Sequence, residues 1–406
     1  MRIATAHSYD QTVANLSKRQ TDLSELQGRI STGKRVQRAS DDPVAAVLSE
    51  AASNRMRRAE TDQRSIEAAR TSLSQAESAM GDAGGLIQDA RELIVKAGNG
   101  TYGSAEFKNL AQQLEGLRER LIGMANQKDS AGRTLFGGLG GSGTPFVEVY
   151  GPSGAGVQFQ GLRGQEAAGG NLLPQTFDGD AVFMRVPPGN GTFTVNLPAT
   201  NVGSVTTNIG SVSDPSMLTG STYQIGFADL GGGAFEYTIT DTTNGLPVAG
   251  HSNVPYVSGM QIDFDGMSLQ LKGQPQAGDV VDVNPVTAPT NVFQVMQNAI
   301  DALRGATGGQ TAQLTQVLGQ SLNEIDAAHD RVLSARAQAG EWLNRADSID
   351  SLLSGRQVDD EAERSRLVDL DLVKGISDFQ NQQTGLQAAM AAYGQVQKLS
   401  LFQYVS

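Results

Sequence analysis

Several short stretches of the chain carry residue types on which chemistry could be built. Gly28-Arg29-Ile30-Ser31-Thr32-Gly33-Lys34-Arg35 nearly spells a phosphate-binding loop. That loop needs a Ser or Thr hydroxyl after the lysine to hold magnesium, and a strand ahead of it. Arg35 takes the hydroxyl position and a helical repeat precedes it, so Gly33 reads as a helix end. Asp41-Asp42 invites a paired-carboxylate reading, but Pro43 suits the first position of a helix and Asp42 the cap before it. Asp263, Asp265, Asp279 and Asp282 are the one hint of a cation or glycan site, against the plainer reading of a solvated acidic face. Asp369 and Asp371 fall on a connecting segment without a general-acid partner. The glycine run 137–143 lacks the Lys-Ser/Thr of a phosphate loop and reads as a hinge, and Asn190-Gly191-Thr192 is a bare glycosylation sequon. His7, His251 and His329 are scattered, and His329 falls one place beyond an apolar seam. The absence of cysteine excludes a disulfide framework, a thiolate metal site and a cysteine nucleophile. No catalytic, metal or cofactor residue is assigned, and an enzyme is not expected.

Composition separates the helical from the β parts of the chain. The chain has 406 residues, a net charge of −12, 39% hydrophobic residues and 5% aromatic ones. Without a basic stripe to offset that charge, nucleic acid is not an expected partner. No apolar run approaches the roughly 18 residues of a membrane span, and no Sec-type leader opens the chain, so no membrane is expected. Of the 13 prolines, 12 lie between Pro145 and Pro289, and residues 141–290 hold 25 of the 48 glycines. Proline is excluded from helix interiors and central strands, so this is a turn-rich β region. Its candidate strands are 181–186, 192–197, 223–227, 235–240 and 267–272. The flanks, rich in Ala, Gln, Leu, Arg and Glu, are helical.

Those flanks repeat every seven residues. Ile66, Leu73, Met80, Ile87 and Ile94 form one seam position, with Ala69, Ala76, Ala83, Ala90 and Ala97 as its companions. Large residues facing alanines at a 3.5-residue period predict a closely packed, supercoiled helix pair. The run stops at Gly98-Asn99-Gly100, and a second helix carries Phe107, Leu110, Leu114, Leu117, Leu121 and Met124. Beyond the β region the seam returns as Leu318, Ile325, Val332, Ala339, Ala346 and Leu353, accompanied by Leu314, Ala328, Ala335, Trp342 and Ile349, with Gly355 as a natural stop.

The two chain ends differ from this rod. Tyr9, Leu16, Leu23 and Ile30 repeat with Val13, Gln20 and Gln27; Phe379, Leu386 and Tyr393 repeat with Ile376, Gln383, Met390 and Gln397. Such narrow, glutamine-diluted seams bury too little area to hold a lone helix in water. They predict pairing of the two ends and packing against copies of the chain, with buried glutamines fixing register. The expected fold is α+β multidomain: a long coiled-coil bundle built from both chain ends, with a mostly β domain inserted. The expected divisions are 1–42 with 371–406 (terminal helices), 43–140 with 291–370 (rod), and 141–290 (β domain).

ISTGKRVQRASDDPVAA (30–46) resembles the N-terminal signature of bacterial flagellins and their relatives, and 365–406 resembles the matching C-terminal signature. The closing LSLFQYVS is closer to the hook–filament junction branch of the family than to filament subunits. The resemblance covers about 140 residues at one end and 100 at the other; the middle does not contribute to it. It implies an extracellular flagellar adaptor forming a homo-oligomeric ring. Hook-associated protein 1 would lie on one side and flagellin on the other. It also implies type III export as an unfolded chain, with an export chaperone on the C-terminal helix. The interface residues that follow are Tyr9, Val13, Leu16, Leu23 and Ile30 at one end, and Ile376, Phe379, Leu386, Met390, Tyr393, Val396, Leu399 and Phe402 at the other. A filament subunit, or a secreted adhesin or enzyme with its β domain on a stalk, remains open at this point.

Overall fold

A computed structural model describes residues 2–140, 143–151, 154–165, 173–308 and 311–405; within these, the side chains of 2–6, 8–9, 151, 154–155 and 396–405 lie outside the described set. Helices are α1 (Arg2–Thr32), α2 (Pro43–Ala97), α3 (Ser104–Ala125), α4 (Gly179–Phe183), α5 (Val292–Gly305), α6 (Ala312–Val368) and α7 (Leu372–Val405). Strands are β1 (Phe146–Gly151), β2 (Gly154–Phe159), β3 (Phe193–Asn196), β4 (Thr206–Thr207), β5 (Ser211–Val212) and β6 (Tyr223–Gly231). They continue with β7 (Ala234–Asp241), β8 (Leu246–Pro247), β9 (Val254–Tyr256), β10 (Gln261–Phe264), β11 (Met267–Lys272) and β12 (Val280–Pro285). The chain divides into two compact units, 1–65 with 348–406 and 66–347.

In the unit 66–347, every large seam residue of α2 from Ile66 to Ile94 is buried, and so are its alanine companions from Ala69 to Ala97. From Leu73 onward they pack with Phe107, Leu114 and Leu121 of α3 and with Leu318, Ile325 and Val332 of α6 in one apolar cluster. Helix α5 adds Val292, Phe293, Val295, Met296, Ala299, Ile300 and Leu303, all buried on one face, and Asn291 caps it by accepting the Gln294 N–H at 2.8 Å. Arg91–Asp326 (2.6 Å) and Arg336–Glu77 (2.5 Å) tie α2 to α6; both pairs are exposed, so they favour register more than stability.

The same cluster takes in Phe146, Val157, Phe177, Val182, Phe183 and Val186. Trp342 packs at a tilt against Phe177, with ring centroids 5.0 Å apart. The stretch 181–186, expected as a strand, begins instead in α4. Asp178 accepts the Asp180 and Ala181 N–H groups as its cap, and Val182 and Phe183 turn into the helical core. Only Val186 bridges, to Thr290. The other four expected strands correspond to β3, β6, β7 and β11.

Strands β1 and β2 pair antiparallel beside the helical cluster, and a second cluster belongs to the other two sheets. One is ordered β3-β12-β6-β7-β8, with β9 also on β7; the other is β10-β11-β4, with β5 also on β11. All these pairings are antiparallel. Alternation puts Tyr223, Ile225 and Phe227 of β6 inward with Tyr237 and Ile239 of β7 and Val281 and Val283 of β12. Asp265 (φ +43°) and Gly266 (φ +77°) close the β10–β11 hairpin between Phe264 and Met267, a two-residue turn that needs positive φ at both positions.

The four aspartates considered for a cation have separate structural duties. Asp279 is buried, which corrects the solvated-face reading, because it accepts the N–H groups of Val202 (2.9 Å), Gly203 (3.0 Å) and Gln276 (2.8 Å). Asp265 accepts the Tyr223 hydroxyl at 2.7 Å, Asp282 the Gln224 amide at 2.9 Å, and Asp263 the Gln261 amide at 3.1 Å. Burial pushes the Tyr223 phenol up to about 12. Among the described residues, no three His, Cys, Asp or Glu side chains are arranged to hold a metal ion, and no helix is long and apolar enough to cross a membrane.

Candidate assembly surface

The unit 1–65 with 348–406 contains α1, the start of α2, the end of α6, and α7. Its joint is built from hydrogen bonds. Helix α1 ends where Gly33 takes φ +66°, which glycine adopts without the cost a Cβ imposes. Past it the chain pairs with the α6–α7 connection. Lys34 bridges Asp369, Arg35 N–H donates to Val368 O at 2.7 Å, and Leu370 N–H donates to Gly33 O at 2.8 Å. The Arg35 guanidinium donates to Leu367 O at 2.6 Å and to Asp42 at 3.3 Å. Val36, Ala45 and Val368 form a small apolar cluster beside it.

The carboxylates at this joint cap backbone. Asp42 accepts the Ala45 N–H at 3.0 Å, three residues on, as the cap before Pro43 requires. Asp41 accepts the N–H groups of Gln37 and Arg38, each at 3.0 Å. The Arg38 and Gln37 donors hold the Asp41 carboxyl below the ordinary aspartate range, and the Ala45 donor does the same for Asp42. Asp371 accepts from Val373 (3.0 Å) and Lys374 (3.1 Å), opening α7. A carboxylate committed to N–H donors is poorly placed to move protons, so these residues set where the terminal helices leave the rod. Gly355, expected as a stop, lies inside α6. A helix-interior glycine costs only about 1 kcal/mol, and the buried Leu353 and the Arg55 pairs with Asp360 (2.7 Å) and Glu363 (2.6 Å) carry the helix onward to Val368.

Helices α1 and α7 lie against one another in antiparallel sense, with Ile30 beside Gly375 and Arg19 beside Gly385. The pairing leaves the expected interface residues incompletely covered. Leu16, Leu23, Ile30, Phe379, Leu386 and Tyr393 are half-buried, whereas Val13, Ile376 and Met390 are 43%, 47% and 53% exposed. Gln20, Gln27 and Gln383 are exposed, so the glutamine seam is not buried within the single chain. The side chains of Tyr9, Val396, Leu399, Phe402 and Gln397 lie outside the described residues. Further apolar residues that the heptad reading passed over are open on the same unit: Val44, Val47 and Leu48 on α2, Leu352 and Val358 on α6, and Leu372 and Val373 on α7. Their spacing of three and four on α2 was a visible signal, masked by the neighbouring alanine seam. Half of the large hydrophobic side chains exposed among the described residues fall in this unit, which is under a third of the chain.

Among its described residues, the unit 66–347 has no comparable concentration. A cleft of about 880 Å³ in it is lined by Asn201, Asp229, Phe235, Gln276 and Asp279 among others, and Asp279 is already committed to three N–H donors.

Comparison with known proteins finds matches at both helical ends of the chain. The bacterial flagellin N-terminal helical region matches residues 3–140, and the bacterial flagellin C-terminal helical region matches 322–405. The chain is 26% identical over 415 aligned residues to flagellar hook-associated protein 3 of Salmonella typhimurium, covering 99% of each. It resembles the crystal structure of flagellar hook-associated protein 3 from Legionella pneumophila, with 27% identity and a TM-score of 0.70 over 78% of this chain and 98% of that one. It also resembles a Xanthomonas campestris junction-protein structure, with 26% identity and a TM-score of 0.67 over 78% and 99%. With both terminal regions matched across more than half its length, and flagellar structural proteins as its relatives, the chain belongs to the flagellin family.

Proposed function

We propose that this protein is the adaptor at the hook–filament junction of a bacterial flagellum. Copies assemble through α1 and α7 into a ring that hook-associated protein 1 holds on one side and the flagellin filament extends on the other. The observation that carries this reading is the concentration of open apolar side chains on the terminal unit, Val13, Ile376, Val373 and Met390 among them. Packing against another copy covers those residues, and the hydrophobic effect then drives assembly. Likeness along the whole chain to hook-associated protein 3 favours an adaptor over a filament subunit. The divisions that serve this role are the terminal helices 1–42 with 371–406, the rod 43–140 with 291–370, and the outer β region 141–290. The weakly covered ends also suit export as an unfolded chain, with a chaperone covering α7 until assembly.

The test is polymerisation of the purified protein. An adaptor adds to a hook-associated protein 1 template and stops at a ring, whereas long filaments formed without a template would overturn the reading in favour of a filament subunit. Labelling intact flagella with an antibody to residues 193–285 gives the second arm. A single band at the hook end is expected, and label along the whole filament would contradict it.

A further inference from the structure

Within the unit 66–347 the sheets formed by β3 to β12 have an apolar core separate from that of the helical bundle. Helix α6 contributes only Ala312, partly buried, to the sheet cluster. The chain passes between the two twice, through 186–192 and through 286–291. Those passages are linked where Val186 and Thr290 exchange N–H···O bonds of 2.9 and 2.8 Å. Two adjacent passages without a shared hydrophobic core would act as a hinge unless something else fixed the angle.

One face of α6 presents Gln316, Gln320, Asn323 and Glu324, spaced by four, three and one, which places them together on a helix. Gln316 and Gln320 grip the sheets, and Asn323 and Glu324 grip the passage that leads into them. Gln316 accepts the Thr207 N–H at 2.9 Å and donates to the Thr207 hydroxyl at 2.9 Å, and Gln320 donates to Val195 O. Asn323 donates to Gly189 O at 2.6 Å, and Glu324 accepts the Gly189 N–H at 3.1 Å, so two successive helix residues hold both sides of one glycine. The turn they hold is rigid. Gly189 has φ +58°, a Cβ there would meet Phe193 O at 2.4 Å, and the Asn190 side chain accepts the N–H groups of Thr192 (3.0 Å) and Phe193 (2.9 Å). Gln316 is 5% exposed, so its bonds are shielded from competing water. Except for the Thr207 hydroxyl, every group gripped is backbone.

We propose that this face of α6 is the positioning site that fixes the orientation of the outer sheet region, and that it does so by reading backbone groups of 189, 195 and 207 rather than side chains. The sheet region is thereby held as a rigid extension of the helical bundle. A dock that reads backbone also tolerates exchange of the outer side chains.

Because the chain has no cysteine, Asn109→Cys with Ser252→Cys gives a clean pair of spin-label sites, one on α3 and one in the sheet region. The parent is expected to give a single narrow distance distribution by pulsed electron resonance. In Asn323→Ala/Glu324→Ala that narrow peak is lost, while circular dichroism and the melting transition show both regions folded. Glu324→Gln keeps an acceptor for Gly189 and retains the peak. Thr207→Val removes the one side-chain group gripped and also retains it. If the alanine pair unfolds the sheets, Gln316→Ala/Gln320→Ala is read in its place with the same expectation of a lost peak. A narrow peak in a folded alanine variant, or a broad one in the parent, would overturn the positioning role. Loss of the peak in Thr207→Val would overturn backbone reading.

Discussion

Replacing Ile376 and Met390 by serine separates assembly energy from fold energy. Both lie on α7, with 47% and 53% of their surfaces open in the single chain. Fully burying an aliphatic side chain contributes about 1.5–3 kcal/mol, so covering the open half contributes about 1 kcal/mol each. The double variant thus forfeits about 2 kcal/mol per copy on assembly, a roughly 30-fold change in the concentration needed. Sedimentation velocity with hook-associated protein 1 as template reads that concentration directly. The melting transition of the unit 66–347 stays unchanged, because neither residue belongs to it. Leu246→Ser, which removes a residue 65% exposed on β8, is the control and leaves assembly as it was. Assembly at the parent concentration by the double variant would refute the reasoning.

Leu73→Ala tests the rod. The residue is fully buried in the α2 seam, so the variant loses about 2–5 kcal/mol and melts at lower temperature. Asp279→Ala strands three N–H groups in the sheet region and costs on the order of 3 kcal/mol, visible as earlier loss of the β signal than of the helical one. Glu324 supplies a pH dependence. Burial raises its folded carboxyl above the unfolded value, against a smaller opposing effect from the Gly189 N–H. Between those two values the native chain binds more protons than the unfolded one, so this group's contribution falls as pH rises from the ordinary glutamate range. Denaturant melts at a series of pH values are therefore expected to show Glu324→Gln gaining on the parent as pH increases; a pH-independent difference would contradict it.

Periodicity made the rod readable, because a long helix repeats its signal many times. Every α2 seam residue from Ile66 to Ala97 is buried where the seven-residue repeat puts it. Single-residue chemistry was legible too: Gly33 ends α1, and Asp42 caps α2. What failed was local pattern without repetition. The run 181–186 alternates like a strand, yet the Asp178 cap and two core-bound side chains make its first half helical. Gly355 looked like a stop because its context, tertiary pairing along α6, is invisible in one strand of text. Asp265 was weighed as a cation ligand although Asp-Gly between alternating runs is a hairpin signal in its own right. The open residues Val44, Val47 and Leu48 needed coordinates, since only the partner helix shows which face of α2 is left over.

Hydrogen–deuterium exchange on α1 and α7, compared between the dilute single chain and the assembled ring, measures whether the terminal helices gain their order on assembly. Helices covered on one side alone open at little cost, so amides of 7–30 and 372–393 are expected to exchange rapidly in the dilute chain and slowly in the ring, while the seam of α2 from 66 to 97 stays protected in both. Equal, strong protection of both terminal helices in the dilute chain would contradict the account.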